Sequence, residues 1–243
     1  QDFLVINDGQ NRPLVFDGAS VKRLPEGTWL PVSRQVHYCQ GRFIVAIPPT
    51  GVVGPAYAYG ASDLVYSTKS GTPQYNYRDS ILRTTEHFEL RLGQPFSVPL
   101  DSGPITSLFS VAIPDTSLGQ GPLQIGTTGG IFSVNLPFDA TLWFSTDPPS
   151  QVISLPGSGP TGFYAVTLVN GDAWYRADDG LRSFVVARRD FNTWVQTPLS
   201  LELARVLPND TRSLLDHASN VYFQNRQLCT CSPYRVRDRG IVH

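Results

Sequence analysis

Large apolar side chains alternate with small or polar ones along several short stretches of the chain, and a proline closes each stretch. Phe132-Ser133-Val134-Asn135-Leu136 runs into Pro137, and Phe109-Ser110-Val111-Ala112-Ile113 into Pro114. Phe43-Ile44-Val45-Ala46-Ile47 runs into Pro48, and Phe96-Ser97-Val98 into Pro99. A period of two is that of a strand with one buried face. Proline has no N–H for a ladder and ends the pairing. A helix needs apolar residues three and four apart, which these phrases do not supply. Their separation along the chain is too irregular for a solenoid or propeller repeat. The pattern predicts strands of one two-layer β domain.

The remaining stretches fill in that outline. Phe3 to Ile6 and Leu14 to Phe16 form a hairpin or an arm within residues 1–28. Trp29 to Val36 leads through His37-Tyr38-Cys39-Gln40-Gly41 into the Phe43 strand. Phe88 to Leu92, Thr106 to Ile113, Leu123 to Ile125 and Leu142 to Phe144 are further strands. From Thr50 to about Ser80 the chain reads as a long loop carrying Tyr57, Tyr59, Tyr66, Tyr75 and Tyr77. Tyrosine offers apolar area and a hydroxyl at low entropy cost, so Tyr57, Tyr59, Tyr75 and Tyr77 are candidate interface residues. The alternative is a loop packed on its own sheet. Ser154 to Pro160 reads as a loop tip. Phe163 to Val169, Asn170-Gly171 and Ala173 to Ala177 make the clearest hairpin, since Asn-Gly is the preferred pair for a type I′ turn. Asp178-Asp179-Gly180 then turns the chain into a strand from Leu181 to Ala187. Good helix signals come only late, where Asp210 caps a segment with Leu214, Leu215 and Ala218 on one face. Residues 229–243 read as an extended tail with Arg235, Arg237 and Arg239 at alternate positions. Arginine suits ion pairs and carbonyl contacts on a neighbouring chain.

Composition narrows the class. With 243 residues, the chain has the size of a single all-β domain with a substantial core. Its 21 glycines and 20 prolines fall between the apolar runs, as all-β punctuation does. A net charge of −1 gives no bulk attraction to nucleic acid or acidic lipid. The three cysteines, Cys39, Cys229 and Cys231, are an odd number and do not make a disulfide framework. They are expected to be reduced. No stretch approaches the length of a transmembrane helix. The chain contains no methionine and starts at Gln1, which fits release from a longer precursor such as a polyprotein.

No constellation of catalytic residues emerges. Asp101-Ser102-Gly103 follows an apolar strand as in aspartic proteases, but that chemistry needs two aspartates and there is no second copy. Cys229, Cys231, His217 and His243 have no spacing of a closed zinc site. Glu86 and Glu89 fall on opposite faces of a strand. Arg188-Arg189 beside Trp194 reads as an ion-paired strand end more readily than as a base-stacking site. No Gly-x-Ser-x-Gly, phosphate loop or dinucleotide fingerprint is present. No catalytic residue, cofactor or metal is expected, which favours a structural or binding protein over an enzyme.

Three segments resemble capsid proteins of picorna-like, non-enveloped positive-strand RNA viruses. Val134-Asn135-Leu136-Pro137-Phe138 is similar to a strand end of that family. Ser183-Phe184-Val185-Val186-Ala187-Arg188-Arg189-Asp190-Phe191 is similar to its last barrel strand. Tyr38-Cys39-Gln40-Gly41-Arg42-Phe43 is similar to the entry of an inner strand. The resemblance implies an all-β, eight-stranded jelly roll made of two packed sheets, with long loops and a short late helix. It implies a capsid subunit of an icosahedral virion, assembled in the host cytoplasm. The expected partners are other capsid chains and symmetry copies, with a host receptor outside and packaged RNA inside. No membrane insertion is expected. The rival reading is a receptor- or glycan-binding β domain, such as a viral spike or lectin-like module, using the Tyr57 to Tyr77 loop and exposed tryptophans.

Overall fold

The structure, a computed structural model, describes residues 4–25, 30–39, 42–48, 54–62, 96–111, 121–135, 151–191, 198–200, 212–223 and 227–231. It is mostly β-sheet, and all the described ladders are antiparallel. The first sheet comprises β1 (Leu4–Ile6), β2 (Leu14–Phe16) and β3 (Val21–Arg23). The second comprises β4 (Val36–Cys39), β5 (Arg42–Ile47), β6 (Ala58–Ala61) and β7 (Phe96–Ser97). The third comprises β8 (Ile105–Ser110), β9 (Leu123–Thr127), β10 (Gly130–Val134) and β11 (Gln151–Pro156). The fourth comprises β12 (Val166–Val169), β13 (Asp172–Ala177) and β14 (Gly180–Ser183), and runs into helix α1 (Phe184–Phe191). The fifth pairs β15 (Ser219–Phe223) with β16 (Gln227–Cys231).

The all-β expectation holds, but two sheets and eight strands do not describe the layering. Among the described strands, each ladder joins consecutive ones, in the order of an up-and-down meander. The sheets then stack face to face in chain order. Val15 and Val5 of the first sheet meet Val45, Val36 and Phe43 of the second. The other face of the second sheet, with Ile44, Ala46 and Tyr59, meets Leu108, Ile125, Phe132 and Val134 of the third. The opposite face of the third sheet, with Phe109, Ile131 and Leu155, meets Ala173, Tyr175 and Ala177 of the fourth. The fifth sheet abuts the fourth, where Tyr222 donates its hydroxyl to Asn170 Oδ1 at 3.2 Å.

The strand phrases read from the sequence are in place. Phe132 and Val134 share one face, as alternation requires, and Phe109 and Val111 share another. What differs is the number of buried faces. Ile44 and Val45 are adjacent and both buried, and so are Ile131 and Phe132. Strands covered on both sides read as continuous apolar runs. The Asn170-Gly171 turn also forms as expected, with φ of 49° and 84°, the left-handed pair that a type I′ hairpin needs.

Three segments depart from expectation. The long-loop assignment from Thr50 is interrupted by β6 at Ala58–Ala61, which pairs with β5. Ser154 to Pro156 belongs to β11 rather than to a loop tip. The expected strand from Leu181 to Ala187 stops at Ser183, and Phe184–Phe191 is helical. The reason is a cap. Ser183 Oγ accepts the Val186 N–H at 3.1 Å, while the Asp172 carboxylate accepts the Val185 N–H at 3.0 Å and the Ser183 hydroxyl. Phe184 and Ala187, three apart, then face the core, with the Phe184 ring edge-on to Phe109. The late helix is a 3-10 turn at Arg212–His217 with Leu215 buried, and Asp210 lies outside the described residues. The extended tail is a strand up to Cys231, and residues 232–243 are likewise outside. Phe88 to Leu92 and Leu142 to Phe144 are also outside the described residues.

Double-sided burial has a direct test. Ile131→Ala and Phe132→Ala each remove buried atoms from a different cluster, and each is expected to cost about 2–5 kcal/mol. Chemical denaturation of the two variants measures this. In a strand buried on one face only, one of the two changes would be close to neutral.

Candidate binding cavity

The segments that lead into successive sheets converge on one cavity of about 630 Å³. Ser33–Gln35 enters β4, Pro104–Thr106 opens β8, Thr161–Tyr164 precedes β12, and Asp216–His217 precedes β15. Asn7–Gly9, which follows β1, completes the wall. The first strand of each sheet after the first is therefore aimed at a common centre.

Side-chain amides hold these entries together. Gln35 is buried, and its Nε2 donates to the carbonyl of Ile105, the first residue of β8, at 2.9 Å. Asn220 in β15 is buried as well, and its Nδ2 donates to the carbonyl of Ala165, directly before β12. Each amide thus ties the inner edge of one sheet to that of its neighbour. Gln35 Oε1 and Asn220 Oδ1 have no protein partner, an uncommon condition for buried acceptors. Asn7 supports the Gln35 side by accepting the Ser33 and Gly9 N–H groups at 3.3 and 3.2 Å. The backbones also come unusually close. A Cβ on Gly162 would lie 2.2 Å from the Asp216 carbonyl oxygen, so only glycine fits there.

The rim carries ionisable groups of both signs. Asp8 accepts the Gln10 and Asn11 N–H groups at 2.8 and 2.6 Å and the Asn11 amide at 2.8 Å. These bonds hold its carboxyl down at about 2, so it stays ionised. Arg34 is exposed on the same side. Exposed Asp216, also a lining residue, lies 3.7 Å from His217 Nε2. Tyr164 is 65 % exposed, and its ring stands edge-on to Phe163 with centroids 4.8 Å apart.

Of the residues singled out from the sequence, His217 lines the cavity, and the described tyrosines, Asp101 and Cys39 do not. Tyr59 is not a surface residue: its ring is in the core and its hydroxyl donates to Gln151 Oε1 at 2.6 Å. Burial pushes that phenol well above its usual pKa. Tyr57 is half-buried against the same cluster. Tyr75, Tyr77, Arg235, Arg237 and Arg239 lie outside the described residues. Asp101 sits in an exposed 3-10 turn closed by Gly103, which is a plain turn. Cys39 is a free thiol, and burial raises it to about 11, so it is protonated at neutral pH. Among the described residues, no three His, Cys, Asp or Glu side chains gather as a metal site would require. Of the three segments that carry the capsid resemblance, the Ser183–Phe191 segment is helical after its first residue, whereas Val134 and Tyr38-Cys39 end strands. No protein-family model and no curated protein matches the chain.

A histidine joins two sheets near this region. His37 of β4 lies 3.0 Å from Ser110 Oγ of β8 through its Nε2. Burial lowers its pKa below the ordinary 6.5. The unfolded chain therefore takes up a proton at a higher pH than the folded one, and stability falls as pH drops below 6.5 towards the folded value. The melting temperature is expected to fall between pH 7.5 and 5.5. In a His37→Gln variant the same titration should show a shallower slope, and an unchanged slope would remove His37 from the account.

Proposed function

We propose that the chain is a structural assembly subunit whose sheets stack in chain order like propeller blades, in an array left open at its first and fifth sheets among the described residues. The irregular spacing of the strand phrases speaks against a propeller repeat, but the described sheets differ in strand number and so need not be evenly spaced, and three features support the blade reading: meanders of consecutive described strands, stacking in chain order, and sheet entries that meet around one cavity. A jelly roll contains Greek keys, in which a strand returns to lie beside one distant in sequence. The described ladders contain no such return. The virion role implied by the capsid resemblance is kept as the setting for this subunit, on a different scaffold. Its mechanism is assembly, without catalysis.

The observation that carries the assembly reading is the outer face of the first sheet. Across the ladder, Leu4, Phe16 and Val21 form one row and Ile6, Leu14 and Arg23 the next. Five of those six positions are apolar, yet Leu4 is 56 %, Ile6 47 %, Phe16 37 % and Val21 60 % exposed. The inner face of the same sheet is packed in the manner repeated through the stack. At the far end, Val221 and Phe223 of β15 are 57 % and 54 % exposed. A contiguous apolar patch of this kind marks a surface that another protein covers. Sheet-on-sheet contact with another subunit would continue the stacking already used inside the chain.

Sedimentation of the purified chain tests this reading. The native protein is expected to sediment as an oligomer or larger particle. Phe16→Glu with Val21→Glu should shift it to a monomer with little change in melting temperature, because both side chains are on the outer face. A native protein that sediments as a monomer at all concentrations would exclude the assembly role.

A further inference from the structure

We infer that the cavity where the sheet entries meet is a binding site for a short neutral carbohydrate. The inference is independent of the assembly reading, since it uses the inner edge of the stack and not its outer face. It also places recognition away from the tyrosine-rich stretch, whose described members are buried or half-buried.

The volume of about 630 Å³ is that of a small-ligand site. Its walls come from separate sheets held in register by the Gln35 and Asn220 amides, so the site is formed before any ligand arrives. The chemistry of the rim selects the class. Asp8 and Asp216 are acceptors, Arg34 is a donor, and His217 exchanges between the two roles. With both signs present, there is no concentrated field to attract a phosphate or another strong anion. Sugar hydroxyls both donate and accept, so they suit such a mixed rim. Tyr164 supplies the complementary apolar element. Its ring is exposed at the cavity and steadied by Phe163, and an aromatic face can stack on the C–H face of a pyranose. Asp8 is fixed by its turn bonds and stays charged at every working pH, so its acceptor capacity is constant.

Saturation-transfer difference NMR on the full chain tests the site, with maltotriose, cellotriose and chitotriose as neutral probes and inorganic phosphate as the anionic control. At least one trisaccharide is expected to bind, with its ring C–H protons receiving the strongest transfer. Tyr164→Ala should weaken that binding at least tenfold while the melting temperature stays within a degree or two, because the ring is exposed. Asp216→Asn should weaken it as well, which reports on the rim independently of the ring. Absence of binding by all three sugars would overturn the inference. So would undiminished affinity in both variants, or displacement of the sugar by phosphate.

Discussion

The structure depends on covering both faces of each interior sheet. A small sheet of short strands needs its apolar faces packed to be stable. Here the second and third sheets become stable only as members of a stack, because Val45 and Ile44 need different neighbours, as do Ile131 and Phe132. That requirement fixes the order of layers. It also explains why the connections between sheets converge, since consecutive meanders that pack face to face bring their first strands together. At that convergence the backbones approach too closely for ordinary side chains, and glycine at position 162 and the two bridging amides take over from apolar packing.

Much of the strand content was legible in the sequence. The Phe132 and Phe43 phrases, the Asn170-Gly171 turn and the hairpin at the N-terminus follow from local rules of period and turn chemistry. The number of layers differs from the two-sheet expectation, although its signal is present in the sequence. Phe43 to Ile47 is apolar at every position, which is the mark of a strand covered on both faces rather than one. Counting only alternate residues hides that. Helix α1 was missed because its apolar spacing is short and follows a turn that also suits a strand. Ser183 three residues ahead of the Val186 N–H is the available sign, but the second half of the cap, Asp172, comes from β13 and is visible only in three dimensions.

The cavity was illegible for a different reason. Asp8, Arg34, Tyr164 and Asp216 are far apart in the chain, and none belongs to a motif. They become neighbours because each sits in a segment entering or leaving a sheet. Conversely, tyrosine content points to the wrong residues. Tyr59 alternates in β6 and is core material, with its hydroxyl satisfied by Gln151. An aromatic residue beside glycines resembles a binding loop when the partner strand is distant in sequence.

The chain-order pairing also bears on how the molecule is made. Most ladders close short loops, the widest being the union of Tyr59 with Phe96. Loop closure within most sheets is therefore inexpensive in entropy. A polypeptide emerging from the ribosome can complete one meander and lay it on the previous one before the next has been synthesised. In such an order of construction, the newest sheet always shows an uncovered apolar face until its successor arrives. The growing end is then the part most in need of a chaperone, and the need passes along the chain as synthesis proceeds.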